Sequence, residues 1–211
     1  CGLILWQPDL GTMISICLTA AIMLFVGGIR LRYFAWLTTA GVVVMLGLIR
    51  LEPYRVRRIT AFLNRSVDPL GIGYQINQAI IGIGSGGWFG YGYGQSRQKH
   101  SYLPEAINDS IFAVMAEELG FIRVILILLL FVWFIIRGIQ VSYRAPDLFG
   151  KMLTVGVIGS IAAAAIVNIS AITGLLPLTG IPLPFFSYGS SAMIVTLAGC
   201  GIVLNISRQS K

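Results

Sequence analysis

The sequence predicts an all-α polytopic membrane protein, with about five transmembrane helices in this chain, on three observations. First, the 211 residues are 56% hydrophobic and only 11% charged, and the mean hydropathy is +0.85. Second, the apolar residues gather in runs at approximately 10–29, 33–50, 110–136, 152–173 and 189–206, close to the roughly 17–25 residues that cross a bilayer core. Third, all eight prolines (Pro8, Pro53, Pro69, Pro104, Pro146, Pro177, Pro182 and Pro184) fall outside the interiors of those runs. Proline removes a helix donor and clashes with the preceding turn, so that placement supports the spans. In lipid every backbone polar group needs an internal partner, which makes runs of this length helices.

At the start, CGLILWQP reads as the stub of an earlier helix. With no Met and no basic stretch there, no signal peptide is visible, and a C-terminal portion of a longer protein is expected. Helices 10–29 and 33–50 meet at a turn near Arg30–Arg32. Segment 51–109 is too long for an idle connector, and its Ile, Phe, Tyr and Trp content is unlike disorder. Inside it, Ile76, Ala79, Ile80 and Ile83 follow i, i+3, i+4, i+7 spacing, which predicts a short helix with one apolar face at the membrane surface. The stretch GIGSGGWFGYGYGQS at 82–96 satisfies G-x-G-x-x-G through Gly82, Gly84 and Gly87, but no βαβ context supports a dinucleotide site. Its glycines suit either a tight turn that needs positive φ or close backbone approach, or amide contact with a phosphate. Helix 110–136 follows, then a connection at 137–151. Helix 152–173 carries Gly156, Ser160, Ala164 and Asn168 at every fourth position, a small-residue stripe that lets helices approach closely. Asn168 is polar at depth and must find a partner. A loop at 174–188, helix 189–206 and the tail SRQSK complete the chain.

The net charge of +7 is distributed around helix ends and not on a soluble basic domain, which argues against nucleic acid. Arg30, Arg32, Arg137, Arg144, Lys151, Arg208 and Lys211 lie on one side of the five helices. Arg50, Arg55, Arg57, Arg58, Arg65, Arg97 and Lys99 lie on the other. The first group sits in short, dense loops, so that side is assigned to the cytoplasm. The arginines stranded outside then suggest an anionic ligand held there. Three cysteines without ligand spacing support neither a disulfide framework nor a metal site.

Four of the eight acidic residues, Glu105, Asp109, Glu117 and Glu118, crowd into 14 positions. Asp109 precedes the apolar run SIFAVMA, where an aspartate can cap a helix and oppose its dipole and can also serve catalysis. Glu117 and Glu118 lie two turns into the membrane helix. Arg123 is a candidate partner, and either a structural pair or a proton relay would explain them. His100, beside Lys99, reads as a solvated residue.

Six stretches resemble one family: QPDLGT (7–12), YRVRRITAFL (54–63), DPLGIGYQINQ (68–78), IGSGGWFGYGYGQSRQK (83–99), YLPEAINDSIFAVMAEELG (102–120) and GIPLPFFSYGSS (180–191). In this order they are similar to the SEDS proteins of shape, elongation, division and sporulation, with details nearer the division branch. The resemblance implies the C-terminal half of a roughly ten-helix fold in the bacterial inner (plasma) membrane, with 51–109 as an extracytoplasmic loop. It also implies a peptidoglycan glycosyltransferase that polymerises lipid II, and the family's essential aspartate carries over to Asp109. An acceptor sugar hydroxyl must lose a proton to attack an anomeric carbon, and a carboxylate can take it. The departing lipid diphosphate needs cations; Arg55, Arg57, Arg58, Arg97 and Lys99 are available, and Glu105 is counted with them as a substrate-binding candidate. No metal cage is visible, although a divalent cation (Mg or Mn) could share the task. Implied partners are a class B penicillin-binding protein, other divisome or elongasome membrane proteins, and membrane lipid. A lipid II flippase or a scaffold for the penicillin-binding protein are the alternatives. The sequence departs from the family at Ile107-Asn108-Asp109-Ser110, where many members read His-Thr-Asp-Phe, and at Arg123 and Arg65, where glycine and proline are common.

Overall fold

The computed structural model describes residues 10–51, 53–63, 71–100 and 108–209. Among them every regular element is helical: α1 (Leu10–Val26), α2 (Leu31–Leu51), α3 (Pro53–Leu63), α4 (Ile72–Ser85), a single 3₁₀ turn at Gln98–His100, α5 (Ile111–Arg144), α6 (Leu148–Ile172) and α7 (Ser190–Gln209). Three of these, α5, α6 and α7, are long and apolar enough to cross a membrane, and shorter apolar helices cover Gly11–Val26 and Leu31–Val44.

Two boundaries differ from the sequence expectation. The expected connection at 137–151 contracts to residues 145–147, because α5 runs on to Arg144 and α6 begins at Leu148. Arg137, Gln140 and Ser142 end the apolar run without ending the helix; Arg137 Nη1 donates to Gln140 Oε1 at 3.2 Å along it. The helix stops where Pro146 restrains the residue before it. Asp147 then opens α6, its Oδ1 accepting from the Gly150 amide at 3.1 Å, a side-chain cap of the usual kind. The second difference is α3, absent from the sequence reading. It begins on Pro53, whose missing amide is harmless in a first turn.

The chain divides into two compact units: residues 1–57, 135–163 and 195–211 form one, and 58–134 with 164–194 form the other. In the first, helix contacts run through small residues. Gly156 faces Met23 of α1, with a hypothetical Cβ only 3.2 Å from its sulfur. Ser160, next on the expected small-residue stripe, is exposed and bonds its own helix at Val157 O, so the stripe packs at Gly156 but not there.

The second unit has a core of Ile76 and Ala79 from α4, Phe112, Ala113, Val114, Ala116 and Val124 from α5, Ala165, Ala171 and Ile172 from α6, and Leu178 and Leu183 from the loop after α6. The apolar face of α4 is the one its spacing predicts. That face is buried against protein, with Ile76 and Ala79 at 1% and 0% exposure.

Helix α5 changes character at Gly120, whose φ of 75° and ψ of 173° interrupt the helix. Before it, residues 112–114 and 116–118 are buried; after it, Phe121, Ile122, Leu126, Leu129 and Leu130 are exposed. The exposed apolar stretch is the part suited to lipid. The glutamates belong to the buried part.

Candidate active site

The segment before α5 and the loop after α6 are bound together. Helix α5 starts at Ile111, so Ser110 flanks it directly and Asp109 lies one residue further out. Ser110 is fully buried and its Oγ accepts from Gln75 Nε2 of α4 at 3.2 Å. Asn108 O accepts from Ser187 Oγ at 2.7 Å, and the same Oγ accepts from the Leu183 amide at 2.6 Å. That turn holds Phe185 at a φ of 69°, a region costly for a bulky side chain, with its ring set edge-on against Phe131 and Phe134 at 6.2 and 5.7 Å. The motif ending in SYGSS thus braces the motif containing Asp109.

Asn168 of α6 supplies the second brace. Its Nδ2 donates to Asp109 O at 2.8 Å and to Ile181 O at 2.6 Å. Two carbonyls on one terminal atom fix which end of the amide is nitrogen, a choice otherwise open in Asn side chains. The other end, Oδ1, is buried with no hydrogen-bond partner, as is Thr179 Oγ1. A buried unpaired polar atom costs about 1–3 kcal/mol. The need of Asn168 for partners at depth is therefore met on one side only.

Arg58, Gln75, Asp109, Asn168, Thr179 and Gly180 line a small polar cavity of about 40 Å³, closed at its apolar side by Ala171, Ile172 and Leu178. Asp109 Oδ2 lies against Gly180, where an added Cβ would stand 3.4 Å away. Arg58 is anchored by Nη1 donating to Leu178 O at 2.8 Å. Two of the sequence candidates, Asp109 and Arg58, thus share one cavity. Gln75 and Thr179 were not anticipated, since a lone amide and a loop hydroxyl carry no pattern.

Other candidates go elsewhere or lie outside the description. Arg97 and Lys99 are exposed and do not line the cavity; the Arg97 guanidinium stands 5.9 Å from the centre of the Tyr91 ring. Glu105 lies outside the described residues, as do Arg65 and Ile107, and the side chains of Arg55, Arg57 and His100 are likewise not described. Among the described residues no group of three or more His, Cys, Asp and Glu side chains comes together. The cavity offers one carboxylate beside a guanidinium, which does not fit the multi-oxygen cage of a hard divalent cation.

Glu117 and Glu118 form a separate structural centre. Glu117 is 1% exposed and accepts from Ser96 Oγ at 2.5 Å, the Arg97 amide at 3.2 Å and the Gln98 amide at 3.3 Å. Glu118 Oε1 accepts from the Ser96 amide at 3.4 Å. Arg123, the expected partner, instead donates to Phe89 O at 3.0 Å. Buried carboxylates are tolerable when hydrogen-bonded, and here they bind the backbone entering the 3₁₀ turn.

The glycine-rich stretch docks into the break of α5. Tyr91 and Gly92 amides donate to the carbonyls of Glu117 and Glu118 at 3.1 and 3.0 Å, while Phe121 and Ile122 amides donate to Gly87 O and Trp88 O at 2.8 and 3.2 Å. The backbones approach so closely that a Cβ on Gly120 would lie 2.2 Å from the Gly90 nitrogen. Positive φ at Gly87, Gly90, Gly92 and Gly94 and close backbone approach at Gly86 and Gly90 describe these glycines. The amides of Tyr91 and Gly92 are engaged within the protein.

Comparison with known proteins fits this arrangement. The family model FTSW_RODA_SPOVE, described as "Cell cycle protein", matches residues 1–211. Stage V sporulation protein E of Bacillus subtilis is 49% identical over 99% of the chain and 57% of its own length. A probable peptidoglycan glycosyltransferase FtsW of Trichlorobacter lovleyi is 43% identical over 98% of the chain and 54% of its own length. The fold matches a chain of a peptidoglycan synthase complex that coordinates polymerization and crosslinking, with a TM-score of 0.80 and 30% identity over 99% of this chain and 58% of that one. It also matches the Thermus thermophilus rod shape determining protein RodA, with a TM-score of 0.62 and 27% identity over 99% of this chain and 52% of that one. The chain spans somewhat over half the length of these curated relatives. The family match over every residue, with apolar helices long enough to span a bilayer, makes this a membrane protein that belongs to the FtsW/RodA/SpoVE family.

Proposed function

We propose that the full-length protein is a multi-pass peptidoglycan glycosyltransferase of the bacterial inner membrane that polymerises lipid II, with Asp109 as the general base. The observation that carries this reading is the convergence of Asp109 and Arg58 on one polar cavity braced by Gln75 and Asn168. In the reaction, the acceptor hydroxyl gives its proton to the Asp109 carboxylate as its oxygen bonds to the donor's anomeric carbon. The bond from that carbon to the lipid diphosphate breaks, and the diphosphate leaves with the electron pair. The anion developing there is matched by the Arg58 guanidinium, a planar donor suited to phosphate. Arg55, Arg97 and Lys99 remain candidate cations for the lipid diphosphate, and Glu105 a substrate-binding candidate. A class B penicillin-binding protein is the proposed partner, supported by the likeness to a chain of a complex that couples polymerization with crosslinking.

A transport reading would place its key charge deep in the membrane helix, at Glu117. That carboxylate is occupied by Ser96, Arg97 and Gln98, which favours the enzyme. The test is polymerisation of purified lipid II by the full-length protein. Asp109→Asn keeps the shape and removes the base, so a loss of about 10²–10⁴-fold is expected, with lipid II binding retained and Asp109→Ala equally inactive. Robust glycan synthesis by the Asn variant would end the catalytic reading.

A further inference from the structure

Beside Asp109 lie two buried oxygens without protein partners, Asn168 Oδ1 and Thr179 Oγ1, both on the wall of the same cavity of about 40 Å³. The volume exceeds the roughly 10–15 Å³ that one water-sized group requires. Asn168 is 2% exposed, and its orientation is dictated by the carbonyls of Asp109 and Ile181, so Oδ1 cannot turn away. The cavity therefore presents a fixed acceptor, a hydroxyl able to donate or accept, and a carboxylate, all within one small space.

We propose that this cavity is a hydroxyl subsite: it takes one non-reacting hydroxyl of the acceptor saccharide, gripped by Asn168 Oδ1 and Thr179 Oγ1, while the neighbouring hydroxyl faces Asp109. Oδ1 accepts the ligand's O–H, and Thr179 Oγ1 donates to the same oxygen. Asn168 acts twice, since the amide nitrogen that holds the Asp109 carbonyl also aims its oxygen at the ligand. The specificity follows from the chemistry. A buried site built to pair a hydroxyl discriminates strongly against a group that leaves it unpaired. The subsite rests on the glycosyltransferase reading and adds to it two residues that bind saccharide.

Thr179→Val is the informative variant. It is nearly isosteric, and Thr179 Oγ1 has no hydrogen bond in the protein to lose, so a purely structural residue would tolerate it. With purified full-length protein and lipid II, Thr179→Val should melt like the unmodified protein yet lose roughly 5–30-fold in kcat/KM, the effect of about one or two hydrogen bonds. The loss should appear mainly as a raised KM. Asn168→Ala should lose more and also lower kcat, because it releases the Asp109 carbonyl; Asn168→Gln, which retains both amide functions, should recover part of the activity. Unchanged kinetics in Thr179→Val would overturn the subsite, leaving the cavity to water. Asp109→Asn in the same assay separates the two claims. If it polymerises normally, the reading of Asp109 as general base fails; if it is inactive while Thr179→Val is normal, only the subsite fails.

Discussion

Glu117 accepts from one hydroxyl and two backbone amides while 1% exposed. Removing it leaves the buried Gln98 amide and the part-buried Arg97 amide without this acceptor. Glu117→Ala is expected to destabilise the protein by on the order of 3 kcal/mol, read as a lowered melting temperature in detergent. Glu118→Ala, losing one longer contact of 3.4 Å, should cost less. Glu117→Gln, which keeps an acceptor, should retain much of the activity; an inactive but stable Gln variant would revive a proton-relay role. The sequence marked these glutamates as needing partners and suggested Arg123. It could not show the real ones, because backbone amides have no identity in a sequence. Asn168 is the same case: its need for a partner was legible, while its partners, carbonyls of Asp109 and Ile181, were not. Asp109 and Arg58 were legible because their charge is unusual in so apolar a chain.

At the scale of elements, hydropathy located the five main helices and misplaced their ends where polar residues continue a helix. Ser142, expected in a connection, is 2% exposed within α5. The break at Gly120 was not read from the sequence, since apolar residues resume directly after it and backbone torsion is what records it. Gly120 combines a φ of 75° with a 2.2 Å approach to the Gly90 nitrogen, whereas Gly94 has a φ of 81° and open space. The pair separates two effects. Gly94→Ala should cost about 1–2 kcal/mol from torsional strain alone. Gly120→Ala should cost clearly more, because the loop must also withdraw. Equal melting temperatures for the two variants would show that the docked loop contributes nothing.

For the whole molecule, the central question is orientation across the bilayer. From Phe121 to Arg144, α5 is continuous and about 36 Å long at 1.5 Å per residue, enough to cross a core of about 30 Å. The positive-inside rule, applied to the dense basic turns at Arg30–Arg32 and Arg144–Lys151, predicts that their side faces the cytoplasm. Tyr93 is 91% exposed and Asp147 is exposed, so a reagent can reach both positions; a cysteine at the second also removes the α6 cap. Tyr93→Cys should react with a membrane-impermeant maleimide in intact spheroplasts, and Asp147→Cys only after permeabilisation. The opposite pattern would invert the topology and remove Asp109 from the compartment where glycan strands are assembled.

The interruption at Gly120 also bears on biogenesis. The loop that fills it is synthesised about thirty residues before the helix it completes. A nascent α5 entering lipid without that loop would carry the unpaired carbonyls of Glu117 and Glu118 and the unpaired amides of Phe121 and Ile122, a state hydrocarbon does not tolerate. The loop therefore acts as a built-in escort for the helix. It supplies the partners that the interrupted helix lacks, so the break at Gly120 can persist only with the loop in place.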